Sequence, residues 1–399
     1  MSFSSWNFPF CPEPPSWELN WEQLESEFVW LQALRDCSLD QTLHAVNDDA
    51  LIQTRMICEA LVSSQKWRML PAVERSILFA TALLRDIAKP ECTIFDPEGQ
   101  ISCRGHQRRG MYKARLILWD DVFFQTNPVP FLIREMIVNL IRYSGLPVHC
   151  LDQADPARLV IQASQTVRCD WLALLSETDS ENCHPAYKAE RLDQIELFRE
   201  FCREYGCLTH PFAFASDHSR FVYFRSEPDK LPYDAYDTTR FEVVLLVGIP
   251  GAGKDTWILN CAGSLPIISL DELRLSLDIS PEDNQGSVIS AAKTQAREYL
   301  RRQQPFVWNA TNIMAARRSQ LIDLFAAYQA RVRIVYVEAP LQTVLRRNAH
   351  RESAVPNRVI YKFASKLDIP NRTEAHTVHY VIDGSFLENW WTQWPFGED

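Results

Sequence analysis

A chain of 399 residues, 46% hydrophobic and 23% charged, is too long for one ordinary core and suits two domains. Its net charge of −10 excludes an evenly basic nucleic-acid binder, and no apolar run approaches the ~20 residues of a membrane span, so no membrane partner is expected. Trp6, Phe8, Pro9, Phe10 and Pro12 do not form a secretory signal, and eleven cysteines without a C-x-x-C pair, Cys11, Cys58, Cys150 and Cys261 among them, read as reduced thiols of a cytoplasmic protein.

In chain order, residues 16–34 carry apolar and aromatic side chains at helical spacing. Residues 52–62, 73–84, 109–119, 131–143, 158–175 and 191–203 repeat the pattern, separated by Pro, Gly and Asp. Nothing up to about Leu208 reads as a sheet. Residues 212–224, rich in Phe, Val and Tyr, read as a hairpin or a last strand, and SEPDKLPYDAYDTTR (226–240) as a linker. The expected organisation is an all-α domain over 1–225, a linker over 226–240 and a second domain over 241–399.

Three pieces of the helical half form a pattern: LIQTRMICEAL (51–61), ALLRDIAKP (82–90) and RGHQRRG (104–110). Together they resemble an HD-type metal phosphohydrolase domain. That family surrounds one or two metal ions with a histidine on the first helix, a His-Asp pair ending the second, and further histidines or aspartate. Here Gln53 stands at the first histidine, Arg85 at the histidine of the pair and Tyr143, in LIRYSGLP, at another. Asp86 and His106 remain, and His44 lies nearby in the chain. A guanidinium has no lone pair for a metal and brings positive charge to the cation's seat. The remnant Asp86 and His106 are therefore expected to be metal-free in an HD-like fold, with Arg85 paired to Asp86. A working metal site is the second reading, and an anion pocket of Arg85, His106, Arg108 and Arg109 a third.

VVLLVGIPGAGKDT, residues 243–256, begins as a strand buried on both faces and breaks into a glycine-rich turn. Gly248, Ile249, Pro250, Gly251, Ala252 and Gly253 can aim several N–H groups at one anion, and the following helix adds its positive end. Lys254 is placed to reach the β- and γ-phosphates of a nucleotide. Asp255 occupies the position where a Ser or Thr usually helps hold Mg²⁺. Thr256 is the nearest hydroxyl, and Asp255 is left to cap the helix or order a metal-bound water.

Residues 265–277 read as an apolar strand ending at Asp271, with Arg274 on the same face of a short helix. An aspartate there is a general base for an acceptor hydroxyl or a helix cap. Residues 248–256, Asp271 with Arg274, and LRRNAHR followed by AVP resemble the phage-type 5′-hydroxyl polynucleotide kinase over most of 241–383. The resemblance implies an α/β P-loop kinase domain with a parallel sheet. It also implies that Asp271 is the general base and Arg274 the grip on the adjacent strand phosphate. Arg347 and Arg351 become lid arginines on the ATP phosphates and the transferring group. Asn309 departs from the family, which has an acidic residue in that D-T-N string, and Arg317 and Arg318 resemble the end of the same element. Residues 332–337 and 378–382 read as further parallel strands, the second being the last.

From Phe241 onward 17 basic residues face 17 acidic ones, and 297–362 holds twelve basic against four acidic; for any one arginine there, a solvated helical face is the plainer account. The tail ENWWTQWPFGED is expected to cover apolar surface. HD and kinase together resemble bacterial end-healing enzymes. This implies ATP and Mg²⁺ as cofactors, 5′-OH RNA or DNA ends as substrate, and a nucleic-acid ligase as a further partner. Competing readings are a P-loop kinase of a small metabolite or nucleoside and a non-catalytic ATP-binding protein.

Overall fold

The computed structural model describes residues 6–35, 37, 49–95, 101–120, 124, 128–181, 183–228, 230–280, 283–351 and 354–387. His44 and the tryptophan-rich tail lie outside them. The described residues up to Ala213 form one unit and those from Phe214 another.

The first unit is helical: α1 (Trp21–Glu27), α2 (Ala50–Ser63), α3 (Ala72–Leu84), α4 (His106–Asp120), α5 (Phe131–Tyr143), α6 (Pro156–Ser164), α7 (Cys169–Ser180) and α8 (Pro185–Glu204). Asp49 starts α2 by accepting a hydrogen bond from the Ile52 amide at 2.9 Å, which satisfies one of the unpaired first-turn donors. α3 has almost no solvent face, since Ile77, Leu78, Phe79, Ala82, Leu83 and Leu84 are all buried. Phe8 lies 6.1 Å from Phe79 and 5.8 Å from Phe28, extending this core through aromatic contacts.

Local polar chemistry changes three expectations in this unit. The stretch 158–175 is two helices, because Ser164 and Thr166 turn their hydroxyls back onto the Ile161 and Ala163 carbonyls, an alternative to continued helix. Residues 16–34 divide at Phe28 into α1 and a 3-10 turn, Val29–Leu34. A small antiparallel pair, β1 (Ile94–Phe95) with β2 (Ile101–Ser102), stands where no sheet was expected.

The second unit runs α9 (Asp217–Arg225), β3 (Phe241–Val247), α10 (Lys254–Cys261), β4 (Ile267–Ser269), α11 (Leu270–Ser276), α12 (Gly286–Arg301), β5 (Phe306–Asn309), α13 (Ala315–Ala326), β6 (Ala330–Glu338), α14 (Leu341–Ala349), α15 (Asn357–Ala364), β7 (Thr377–Ile382) and β8 (Ser385–Leu387). The sheet order is β4-β5-β3-β6-β7-β8. All pairings are parallel except β7 with β8, so an antiparallel edge follows the strand expected to be last. β3 sits inside the sheet, with Val243 to Val247 at most 1% exposed, which accounts for its unbroken apolar run.

The stretch 212–224 is not a hairpin. Ser216 accepts a hydrogen bond from the Ser219 amide at 3.0 Å and caps α9. From α9, Arg220 donates to the Arg372 and His376 carbonyls at 2.9 and 2.7 Å, and Phe221 stacks on His376 with ring centroids 3.8 Å apart. Residues 226–240 are held as well: the Ala235 amide donates to Ser219 Oγ at 3.0 Å, and Arg331 donates to Asp237 at 2.8 Å. The boundary therefore falls at 213/214 rather than 225/226, and the expected linker is part of the second unit. All eleven cysteines are free, and no helix among the described residues is long and apolar enough to cross a membrane.

Candidate active site

The glycine-rich turn joins the carboxyl end of β3 to α10. A Cβ on Gly248 would stand 2.5 Å from the Val337 carbonyl oxygen, so only glycine lets the loop pass β6. Gly253 takes φ +109° as the residue preceding α10, a left-handed conformation that glycine adopts without steric cost. Lys254 curls over the loop and donates to the Gly248 and Ile249 carbonyls at 2.9 and 3.2 Å. Burial lowers its pKa to about 8, against the opposing pull of Asp255 and Asp271.

Asp255 does not cap α10, since Gly253 holds that position. It lies in the first turn, accepts from Asn309 Nδ2 at 3.1 Å and faces Arg351 Nη2 at 3.8 Å. Asn309 Oδ1 is shielded from solvent and has no hydrogen-bond partner among the described residues. The Asp255 carboxylate and Asn309 Oδ1 are oxygen donors, the ligand type a hard divalent cation takes, and Thr256 follows Asp255 in the chain. The residues present therefore fit Mg²⁺.

Asp271 is not the cap of its helix either. Ser269 fills that role, its hydroxyl accepting from the Glu272 amide at 3.3 Å. Asp271 projects into solvent, its side chain 82% exposed, and ion-pairs with Arg274 one turn on. Arg274 Nε also donates to Gln285 at 2.6 Å, tying α11 to the start of α12. From α14, Arg347 Nη1 reaches to 3.8 Å from where a Gly253 Cβ would stand. Arg347 and Arg351 thus both reach the phosphate loop and the start of its helix.

Supporting residues were harder to see in the sequence. Asn348 clamps the turn that carries Arg351, donating to the Val355 carbonyl at 2.6 Å and accepting from the Val355 amide at 2.9 Å. Its place inside the R-N-x-x-R string was the available signal. Arg318, fully buried, forms a two-pronged pair with Glu374 at 2.7 and 2.8 Å and donates to the Asn312 carbonyl. Asn312 in turn donates to the Leu246 carbonyl at 2.7 Å. Arg318 is a strut beneath the loop, whereas Arg317 is exposed.

In the helical unit, Gln53, Arg85, Asp86 and His106 do come together, along with three residues not anticipated: Lys89, Asp179 and Arg191. Lys89 Nζ lies 3.0 Å from Asp86 and donates to Gln53 at 2.7 Å. The ammonium thereby occupies the seat between those two oxygens. Arg85 pairs more closely with Asp179, at 3.0 Å, than with Asp86, at 3.7 Å, and Arg191 also reaches Asp179, at 2.8 Å. Burial resists ionisation of Asp86, but Lys89 and then Arg85 outweigh it and hold the carboxyl below its usual range. Asp179 is likewise held below the usual carboxylate range, with burial overcome by Arg85 and Arg191. His106 stands 3.8 Å from Asp86 and binds the Cys103 carbonyl. Arg109 is committed to the Glu91 carbonyl at 2.9 Å, and the Tyr143 ring lies under Arg142. Among the described residues no group of three or more His, Cys, Asp or Glu side chains is arranged to hold a metal ion.

Residues 243–370 match the family model of an AAA domain. This part of the chain is a P-loop domain with a mostly parallel sheet. Over 135 residues it is 24% identical to the L-seryl-tRNA(Sec) kinase of Methanococcus maripaludis, an alignment covering 32% of this chain. The chain spans about half, 53%, of that relative's length. Among solved structures, a sugar kinase from Janibacter sp. HTCC2649 has 13% identity and a TM-score of 0.30, covering 37% of this chain and 87% of that one. A gluconokinase from Sinorhizobium meliloti 1021 has 19% identity and a TM-score of 0.26, covering 37% and 86%.

Proposed function

We propose that the protein transfers the γ-phosphoryl group of ATP to the 5′-hydroxyl of an RNA or DNA end, in a nucleic-acid repair role in the cytoplasm. The observation that carries this reading is the position of Asp271. It is exposed, paired with Arg274 and not used as a helix cap.

In this mechanism Lys254 leaves the Gly248 and Ile249 carbonyls for the β- and γ-phosphates. The strand phosphate next to the acceptor end draws Arg274 from Asp271, freeing the carboxylate to take the hydroxyl proton. The hydroxyl oxygen bonds to the γ-phosphorus as the bond to the ADP oxygen breaks. Arg347 and Arg351 stabilise charge on the equatorial oxygens. When bound, Mg²⁺ neutralises charge on the β- and γ-oxygens, and Asp255, Thr256 and Asn309 are the residues that would hold it. The helical unit is read as an HD-like fold silent as a phosphoesterase, its cation seat taken by Lys89, with a nucleic-acid ligase as the partner that uses the new 5′-phosphate.

A second reading, a kinase for another hydroxyl, is favoured by the matched relative, whose name places its acceptor on seryl-tRNA. Transfer of label from γ-labelled ATP with Mg²⁺ to 5′-OH oligonucleotides, free nucleosides and seryl-tRNA separates the two. The 5′-end reading expects label on oligonucleotides, and Asp271→Asn to lower turnover by about 10²-fold or more with ATP binding intact. Label on nucleosides or seryl-tRNA alone selects the second reading. ATP binding without transfer in either form marks a non-catalytic binder.

A further inference from the structure

Three buried thiols meet at the carboxyl end of α8. The helix stops at Glu204, Tyr205 follows, and Gly206 takes φ +60°. Two hydrogen bonds close the turn: the Cys207 amide donates to the Cys202 carbonyl at 2.8 Å and the Gly206 amide to the Arg203 carbonyl at 2.9 Å. A helix end closed in this way brings the side chain three from its end into contact with that of the second residue beyond the cap. Here both are cysteines, Cys202 and Cys207. One residue on, the Leu208 carbonyl accepts from the Asp170 amide at 3.0 Å, which sets Cys169, at the start of α7, beside the same turn. Cys169, Cys202 and Cys207 are each 0% exposed, but Arg203, Glu204 and Gly206 in the turn over them are exposed. The cluster is therefore shut off by a single surface turn. Cys150 is buried too, but its thiol is directed to the Pro156 carbonyl at 3.8 Å.

We propose that Cys207 and Cys202 are a peroxide-reactive dithiol, a covalent modification site of the helical unit that closes to one intramolecular disulfide. Hydrogen bonds from the Cys169 thiol and then the Cys202 thiol hold Cys207 below the usual thiol range, which favours the nucleophilic thiolate. The Cys207 sulfur attacks one oxygen of hydrogen peroxide. An S–O bond forms as the O–O bond breaks, and the departing hydroxide takes up a proton to become water. The Cys202 sulfur then attacks the Cys207 sulfur, the S–O bond breaks, and the hydroxyl leaves with the Cys202 proton as a second water. Two thiols thus lose two electrons, and one peroxide becomes two waters. Peroxide enters when the last turn of α8 lifts, since helix ends open at lower cost than the core they cover.

The test treats the full-length protein with hydrogen peroxide under native conditions, then alkylates the remaining thiols in urea and maps the peptides. The proposal expects Cys202 and Cys207 to lose alkylation together, to appear as one cross-linked pair, and to recover both labels after a dithiol reductant. Cys207→Ser should abolish the cross-link, and Cys202→Ala should leave a sulfenic acid on Cys207 that dimedone traps. Should Cys207→Ser fail to fold, the wild-type map and Cys202→Ala decide. Full alkylation of both cysteines at a peroxide concentration that oxidises the exposed Cys261 overturns the proposal. So does a cross-link that joins Cys207 to Cys169 instead, or dimedone bound to Cys202 rather than Cys207 in the wild type.

Discussion

Lys254 links the phosphate loop to a measurable pH dependence. Its ammonium is the form that binds phosphate, and burial has brought its pKa down to about 8. Below that pH the protein already carries the proton; above it, binding must first take one up. ATP affinity is therefore expected to be flat to about pH 7.5 and to weaken by up to about tenfold per unit beyond 8. Calorimetry in buffers of different ionisation enthalpy should show proton uptake on that alkaline limb, and an affinity unchanged to pH 9.5 would contradict the assignment. Lys89 makes the corresponding case in the helical unit. Lys89→Met leaves Asp86, 1% exposed, without its nearest counter-charge and is expected to cost about 3–5 kcal/mol in urea unfolding. Adding Asp86→Asn should recover much of that loss, because the buried charge goes with its partner; a double variant no more stable than the single one counts against an ammonium in the cation's seat. Such partners escaped the sequence reading because Asp179 lies 94 positions from Arg85, and nothing around it signals the pairing.

At the level of elements, β3, its glycine-rich turn and α10 were legible because each depends on neighbours within about ten residues. So was α5, found over the range its hydrophobic spacing implied. α9 was not. Its Phe, Val and Tyr favour a strand taken singly, but the Ser216 cap and the anchorage of Arg220 decide for a helix. Arg220→Ala deprives the Arg372 and His376 carbonyls of their donor and is expected to destabilise the protein by about 2–3 kcal/mol. Lysine should restore little, since a single ammonium does not reproduce the fork that reaches both carbonyls. Chemical denaturation of the two variants measures this, and a lysine variant as stable as the wild type would show that charge alone suffices.

Across the whole molecule, several buried ionisable groups make the fold less stable in acid, while Glu74, whose carboxyl pKa burial raises, acts the other way. His376 is fully buried, its Nδ1 accepts from the Val332 amide at 3.0 Å, and burial pushes its pKa down to about 3. The unfolded chain binds a proton below about pH 6.5 while the folded one does not, so stability is lost as pH falls from there towards 3, by about 2 kcal/mol at pH 5. Asp86, Asp179 and Glu135, all held below their usual range by buried cations, add further loss with the same sign below about pH 4. Urea unfolding between pH 7.5 and 5 should follow this slope, and His376→Asn should flatten it; an undiminished slope in that variant would place the acid sensitivity elsewhere. The sequence by itself determined the two-part organisation, the strand–turn–helix of the phosphate loop and the helical face shared by Asp271 and Arg274, because backbone conformation and periodicity are local properties. Only the tertiary structure decided which charges neutralise one another, which serine caps which helix, and that residues 214–240 pack with the sheet. Burial and ion pairing are set by groups that chain distance does not predict.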